Sequence, residues 1–273
     1  MLGKLLKYEF FATGRIFLPL YAGFLIISII VSFTIQTDSI LLTIVSWFLL
    51  SLVRFAVFII TCVLLIMRFY RNLLKDEGYL MFTLPVKTST LIASKLITAC
   101  VWCIMSIKVG TLASIIVSRG FIDISWIVRE MFANLPYFLN NVSILFIVLL
   151  VLTFLSIVAL CIMHVYFSLA VGQLPPFGKH KILGAIVTYI GFATVLIVTA
   201  TLIGMSEYFS ATFFHTVDTF VVYDPIYPFA TDLSRVWAPL NRFLALVIAF
   251  YTFFATVTFI GTSLILKRKL NLE

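Results

Sequence analysis

Six long apolar runs constrain this sequence more than any other feature. Each contains at least about 20 mostly apolar residues, which is the length that a helix needs to cross a bilayer. Because a segment in lipid must satisfy its own backbone hydrogen bonds, such runs predict helices. Continuous apolar stretches such as Ile144–Leu155 also lack the alternating polarity of membrane β-strands. The sequence therefore predicts a single all-α transmembrane domain over residues 1–273, with spans at about 16–36, 41–67, 96–118, 142–171, 182–203 and 243–266.

The composition indicates that lipid is the natural solvent of this chain. Hydrophobic residues make up 63% of it and charged residues 11%, whereas soluble domains average about 45–50% apolar and about 25% charged residues. The net charge of +8 comes from basic residues in the short segments between the spans, and no basic stripe is interleaved with aromatic residues. We therefore interpret the charge as a topological signal and expect no nucleic-acid binding.

The distribution of Lys and Arg predicts which ends of the spans face the cytoplasm. Thirteen basic residues fall on the side that holds both termini, and four fall on the opposite side. Since cytoplasmic connections carry the excess of Lys and Arg, we expect a multi-pass plasma-membrane protein with cytoplasmic N- and C-termini. The thirteen are Lys4, Lys7, Arg15, Arg68, Arg71, Lys75, Lys87, Lys95, Lys179, Lys181, Lys267, Arg268 and Lys269, and the four are Arg119, Arg129, Arg235 and Arg242.

Two segments outside the spans have features of their own. Residues 1–15 place apolar side chains on one helical arc and Lys4 and Lys7 on the other, although Glu9 interrupts the apolar arc. This pattern predicts an amphipathic helix on the inner membrane surface. The external segment from about Gly204 to Arg242 is rich in aromatic residues, and its prolines stop a regular helix. We expect it to form a re-entrant cap that dips into the outer interface before the sixth span.

Arg54 and Lys108 are cations near the middle of the second and third predicted spans. A central Arg or Lys costs about 2.5–3.5 kcal/mol on an insertion scale, and no carboxylate lies at a matching depth to pair with either cation. Both side chains could face a water-filled cavity or a substrate path. Alternatively, they could snorkel, or bond to carbonyl groups within the bundle. Both interpretations stay open, and the first makes Arg54 and Lys108 candidate residues of a translocation path.

Motifs for catalysis and for nucleotide or metal binding are missing from the sequence. No complete P-loop, H-E-x-x-H or G-x-S-x-G motif is present. The histidines are scattered, and the cysteines lie within apolar runs, where we expect packing rather than redox or metal chemistry. We therefore predict that this chain is not an enzyme and binds no metal of its own. The residues concerned are His164, His180, His215, Cys62, Cys100, Cys103 and Cys161.

The connection between the second and third predicted spans contains acids, a glycine and then an apolar patch. It reads Asp76-Glu77-Gly78-Tyr79-Leu80-Met81-Phe82-Thr83-Leu84-Pro85-Val86. A solvated connection does not need several large apolar side chains side by side, so the pattern favours a short helix with one adhesive face. That helix could rest on the membrane surface or dock to a cytoplasmic partner.

This connection resembles the signature of type-2 ABC exporter permeases, the membrane-spanning subunits of ATP-driven exporters. That family carries a Glu-Gly-Thr-like turn, a Leu and then Leu-x-x-Pro at this place, and here Tyr79 stands where Thr is more usual. The amphipathic N-terminal segment, the six spans, the long external segment and the basic tail also match permeases of this type from Gram-positive bacteria. The resemblance covers the whole chain in layout and about 30 residues in motif.

The resemblance implies a coupling helix that seats in a groove of a separate ATPase, where Glu77 pairs with basic groups. ATP and Mg²⁺ would be bound by that partner, and this chain would hold no cofactor. Two permease copies, identical or different, would enclose a path along their second and fifth spans, near Arg54, and residues 172–181 would form a minor ATPase contact. The implied coupling residues are Asp76, Glu77, Gly78, Tyr79, Leu80, Phe82, Leu84 and Pro85.

The substrate implied by the resemblance is an amphipathic peptide. The similar permeases export phenol-soluble modulins or confer immunity to peptide antibiotics. Two other functions stay open from the residues alone. The chain could be a membrane sensor or regulatory subunit that docks a cytoplasmic partner, or an ATP-independent secondary transporter. The second alternative is disfavoured because the spans contain no obvious intramembrane carboxylate for a proton or sodium site.

Overall fold

The computed structural model describes residues 2–35, 40–74, 86–118, 124–177, 180–206 and 233–268. Seven α-helices lie within these residues, together with a short 3₁₀ helix at Pro175–Phe177. The α-helices are α1 (Leu2–Ile35), α2 (Ile40–Leu74), α3 (Thr88–Ser118), α4 (Ile124–Asn141), α5 (Ile144–Gly172), α6 (Lys181–Gly204) and α7 (Leu233–Arg268).

Six of these helices, all except α4, are long and apolar enough to cross a membrane. The prediction of six apolar spans in an all-helical chain is therefore confirmed. Several helices extend beyond the predicted spans, and α2 continues to Leu74 while α3 begins at Thr88. This extension has a simple reason. No Gly or Pro lies between Met67 and Leu74 to stop the helix where its apolar run ends.

The N-terminal segment differs from the prediction. Instead of a separate surface helix over residues 1–15, the structure has one α-helix from Leu2 to Ile35, with Pro19 inside it. Glu9 explains the difference. Its side chain is buried against two other helices, so the first turns of α1 pack on the same partners as the later turns and the helix continues without a break.

Helix α4 was not predicted from the sequence. It spans 18 residues, has Pro136 inside it and exposes Trp126, Met131 and Phe132. Arg129 and Glu130 lie in its first half, and these charges explain why the segment is not predicted as a membrane span.

The described residues form two compact units, one within 2–131 and the other within 132–268. In the first unit, α1 packs along α3, and α2 packs against both. Its core follows the spacing of three or four residues expected for a helix face. The buried apolar side chains include Phe17, Tyr21 and Phe24 of α1, Leu50, Val57, Leu65 and Phe69 of α2, and Trp102, Val109, Ala113 and Val117 of α3.

In the second unit, α5 packs against both α6 and α7. Glycines allow the close approach of these helices, as is common for helices packed within membranes. A Cβ atom at Gly172 of α5 would lie 2.5 Å from the carbonyl oxygen of Lys181, and one at Gly261 of α7 would lie 2.7 Å from the ring of Phe167. The close contacts of α5 with α6 and α7 therefore require glycine, which has no side chain, at these two positions.

Candidate functional site

The predicted coupling residues lie outside the described part of the chain. Asp76, Glu77, Gly78, Tyr79, Leu80, Phe82, Leu84 and Pro85 all fall between residues 75 and 85, for which no structure is described. Their coupling role therefore stays a prediction. The flanks of the segment are described, because α2 ends at Leu74 and α3 begins at Thr88.

Most of the predicted external cap, residues 207–232, also lies outside the described residues. Its last part is described and differs from the prediction. Residues 233–242 belong to α7, which begins at Leu233 and runs through Pro239 to Arg268. The sixth helix therefore begins ten residues before the predicted span at 243–266, and the cap itself stays a prediction.

A buried triad of charged side chains joins the three helices of the first unit. The Nζ atom of Lys95 on α3 lies 2.7 Å from Oε1 of Glu9 on α1, and the Nε atom of Arg68 on α2 lies 3.0 Å from Oε2 of the same carboxylate. Glu9 is 7% exposed and Lys95 is 5% exposed, while a quarter of the Arg68 side chain remains accessible. One carboxylate therefore accepts hydrogen bonds from cations on two different helices.

The triad was not predicted, although the sequence contains a feature that points to it. Glu9 interrupts an otherwise apolar arc, and Arg68 and Lys95 stand at the ends of the second and third predicted spans. In the sequence analysis both cations count toward the orientation signal, and Lys95 also opens the span that follows the coupling motif. Their pairing with Glu9 depends on how α1 packs against α2 and α3, which periodicity within one helix does not report.

A polar and aromatic cluster continues from the triad along the contact between α1 and α3. The indole Nε1 of Trp102 donates to Oγ1 of Thr13 over 2.8 Å, and Thr13 in turn donates to the carbonyl oxygen of Glu9. One to two turns further along each helix, the hydroxyl group of Tyr21 lies 2.5 Å from Oγ of Ser106. These hydrogen bonds set the register between α1 and α3.

The surroundings of Arg54 agree in part with both interpretations of the mid-span cations, bonding within the bundle and exposure to a cavity. Its guanidinium donates to Oγ of Ser114 on α3, and its aliphatic stem lies over Gly110, where an added Cβ atom would be 3.8 Å from its Cδ atom. Arg54 therefore bonds within the first unit, yet more than a third of the residue stays exposed.

The exposed part of Arg54 faces a groove of about 420 Å³ between α1, α2 and α3. Its lining residues are Phe24, Ser51, Arg54, Phe55, Val57, Phe58, Ser106, Ile107, Gly110 and Thr111. Lys108 is exposed on α3, but it is not among these residues. Of the two path candidates, the structure therefore places only Arg54 at this groove.

His164 is a packing residue of the second unit. It is buried, its ring stacks on that of Tyr189 with centroids 4.2 Å apart, and its Nε2 atom lies 3.1 Å from the carbonyl oxygen of Tyr189. The four cysteines are thiols and not disulfides. Among the residues that the structure describes, no group of His, Cys, Asp or Glu side chains is placed to hold a metal ion.

No protein-family model, curated protein or solved structure matches this chain. The class of protein is therefore defined by the fold itself. Six apolar helices of membrane-spanning length make it a multi-pass α-helical membrane protein.

Proposed function

We propose that this chain is the permease subunit of an ATP-driven ABC exporter of amphipathic peptides. In this proposal a separate cytoplasmic ATPase binds ATP and Mg²⁺, and two permease copies form the path across the plasma membrane. The N- and C-termini are cytoplasmic, the segment 76–85 is the coupling helix, and the external segment forms a cap over the path.

The observation that carries the proposal is the pattern of residues 76–86, two acids and a glycine followed by an apolar patch and Leu84-Pro85. This pattern lies between two of the six apolar helices, after the end of α2 and before the start of α3. A cytoplasmic connection with several adjacent large apolar residues is best explained by a partner that covers them. The chain has no complete P-loop with which to hydrolyse ATP. Docking to an ATPase would therefore supply the energy for transport.

The charged triad supports the proposal mechanically. Arg68 lies about 9 Å before the end of α2 and Lys95 about 10 Å after the start of α3, measured along the helix axes. Both are bonded to Glu9, so both flanks of the coupling segment are tied to α1. A displacement of the segment would therefore move the adjoining ends of three helices together, as a lever must.

The proposed mechanism follows from this arrangement. ATP binding closes the two ATPase subunits and moves the coupling segments inward, which narrows the cytoplasmic opening between the two permeases. The amphipathic substrate then leaves toward the outside. Arg54 and Lys108 are the candidate path residues, because a mid-membrane cation is tolerated where it faces a cavity. Of the two, Arg54 lines the groove between α1, α2 and α3.

The test is a gentle detergent pull-down of the tagged full chain from its native host, with the subunit ratio read by mass spectrometry. The proposal predicts a soluble P-loop ATPase at near one-to-one ratio. It also predicts that Leu80→Asp, which places a charge on the apolar docking face, removes most of the ATPase, and that Glu77→Ala weakens its binding.

Glu207→Ala is the matched control, because it removes an acid predicted on the opposite side of the membrane. This variant should retain the ATPase at the unmodified level. Recovery of the chain alone, or with a partner that has no ATPase fold, would overturn the proposed function.

A further inference from the structure

The groove beside Arg54 has the dimensions and lining of a binding site for a small amphipathic molecule. Its volume of about 420 Å³ lies within the range of roughly 300–1,000 Å³ that is typical of small-molecule sites. Apolar side chains such as Phe24, Phe55 and Phe58 form much of its wall, and one guanidinium group lies within it. The groove therefore combines an apolar surface with a single positive charge.

The charge of Arg54 has no carboxylate partner within the part of the chain that the structure describes. Its hydrogen bond to Ser114 is to a neutral hydroxyl group, and Glu9 already binds Arg68 and Lys95. Arg54 lies about 21 Å along α2 from both Ile40 and Arg68, near the middle of the apolar helix. A cation at this depth favours an anionic ligand, because the surrounding apolar groups do not stabilise its charge.

The hydroxyl groups of the groove limit what the anion can be. Ser51 donates its proton to the carbonyl oxygen of Phe48, Ser106 donates to Thr61, and Thr111 donates to the carbonyl oxygen of Ile107. Since a hydroxyl group has one proton to donate, the free donors of the groove belong to the guanidinium of Arg54. One guanidinium matches the two oxygen atoms of a single carboxylate.

We propose that this groove binds a molecule with a single apolar chain and a terminal carboxylate, such as a long-chain fatty acid. Arg54 binds the carboxylate through its remaining N–H groups, and the chain lies along Phe55, Phe58 and Ile107. A phospholipid headgroup would bring further polar groups to a groove whose hydroxyl protons are already used. The site does not depend on the proposed exporter function.

The experiment uses the full chain in phosphatidylcholine nanodiscs with palmitate labelled with ¹³C at its carboxyl carbon. The proposal predicts a second, saturable carboxyl resonance from bound palmitate. The carboxylate of this bound palmitate should stay ionised at pH values where palmitate in the bilayer is already protonated, because a neighbouring guanidinium favours the charged form. Unlabelled palmitate should displace it, and methyl palmitate, which has no charge, should not.

Two variants of equal charge change separate the site from general electrostatic attraction. Arg54→Gln should weaken palmitate binding about tenfold or more, whereas Lys108→Gln should leave it unchanged because Lys108 lies outside the groove. An unchanged affinity in Arg54→Gln, an equal loss in Lys108→Gln, or displacement by methyl palmitate would each overturn the proposal. If Arg54→Gln does not fold, the unmodified chain still tests the proposal, because absence of the second resonance would contradict the site.

Discussion

Burial of the Glu9 carboxylate is acceptable because two cations reach it from neighbouring helices. The carboxylate bonds to Lys95 on one oxygen and to Arg68 on the other, so its charge is compensated. The reverse also holds, since Lys95 is 5% exposed and needs an anion where water does not reach. Loss of one member of such a group leaves an uncompensated buried charge, which is more costly than loss of the whole group.

Glu9→Gln should therefore destabilise the chain by about 3–5 kcal/mol. The amide keeps the size of the side chain but cannot neutralise Lys95. We expect the apparent melting temperature in detergent, followed by circular dichroism, to fall by roughly 6 °C or more.

The double variant Glu9→Gln with Lys95→Met should recover much of this loss, because it removes the orphaned ammonium group together with the carboxylate. Glu130→Gln changes an exposed acid on α4 and serves as the matched control. Little effect is expected, because interactions of exposed charges contribute only about 0–1 kcal/mol. Equal melting temperatures for Glu9→Gln and the control would show that the triad contributes no stability.

At the scale of whole helices, a glycine at the end of α5 decides how closely α5 and α6 approach each other. A Cβ atom at Gly172 would lie 2.5 Å from the carbonyl oxygen of Lys181 and 2.8 Å from the backbone nitrogen of Ala185. These neighbours are backbone atoms at the start of α6, so no side-chain rotation relieves the overlap. The helices themselves would have to move apart.

Gly172→Ala should accordingly destabilise the second unit by about 1–3 kcal/mol, the usual cost of overpacking. Gly191→Ala is the matched control on α6, since nothing lies within 4 Å of its added Cβ atom. Alanine favours a helix more than glycine does, so this control should melt at an unchanged or slightly higher temperature. A Gly172→Ala variant as stable as Gly191→Ala would refute the close contact between α5 and α6.

For the whole molecule, the bias of basic residues predicts the orientation of all six spans together. Exposed sites on or next to the described helices allow a direct test with single cysteines in a variant that lacks the four natural ones. Lys87 and Lys267 fall on the predicted cytoplasmic side, and Ser125 and Ser206 fall on the external side.

Lys87→Cys and Lys267→Cys should react with a membrane-impermeant maleimide only after cells are permeabilised, because the positive-inside rule places them in the cytoplasm. Ser125→Cys and Ser206→Cys should react in intact cells. The reverse pattern would place both termini outside, and it would also remove the coupling segment from any cytoplasmic ATPase.

The number and approximate location of the apolar helices could be read from the sequence because lipid imposes one rule on every span. A run of about 20 apolar residues that satisfies its own hydrogen bonds must be helical, whatever its neighbours are. Helix ends were harder to predict. Residues 233–242 form the first part of α7, and residues 2–15 form the first part of α1. Polar residues outside the apolar run therefore do not mark the end of the helix.

The sequence by itself determined that this is a six-span helical membrane protein with two mid-span cations, because length and hydropathy are local properties. Only the tertiary structure decided which charges meet. It brought Glu9 to Lys95 and Arg68, which lie 86 and 59 residues away in the chain, and it placed Arg54, but not Lys108, at an apolar groove. Pairings of this kind depend on which faces of separate helices pack together, and the periodicity within a single helix does not contain that information.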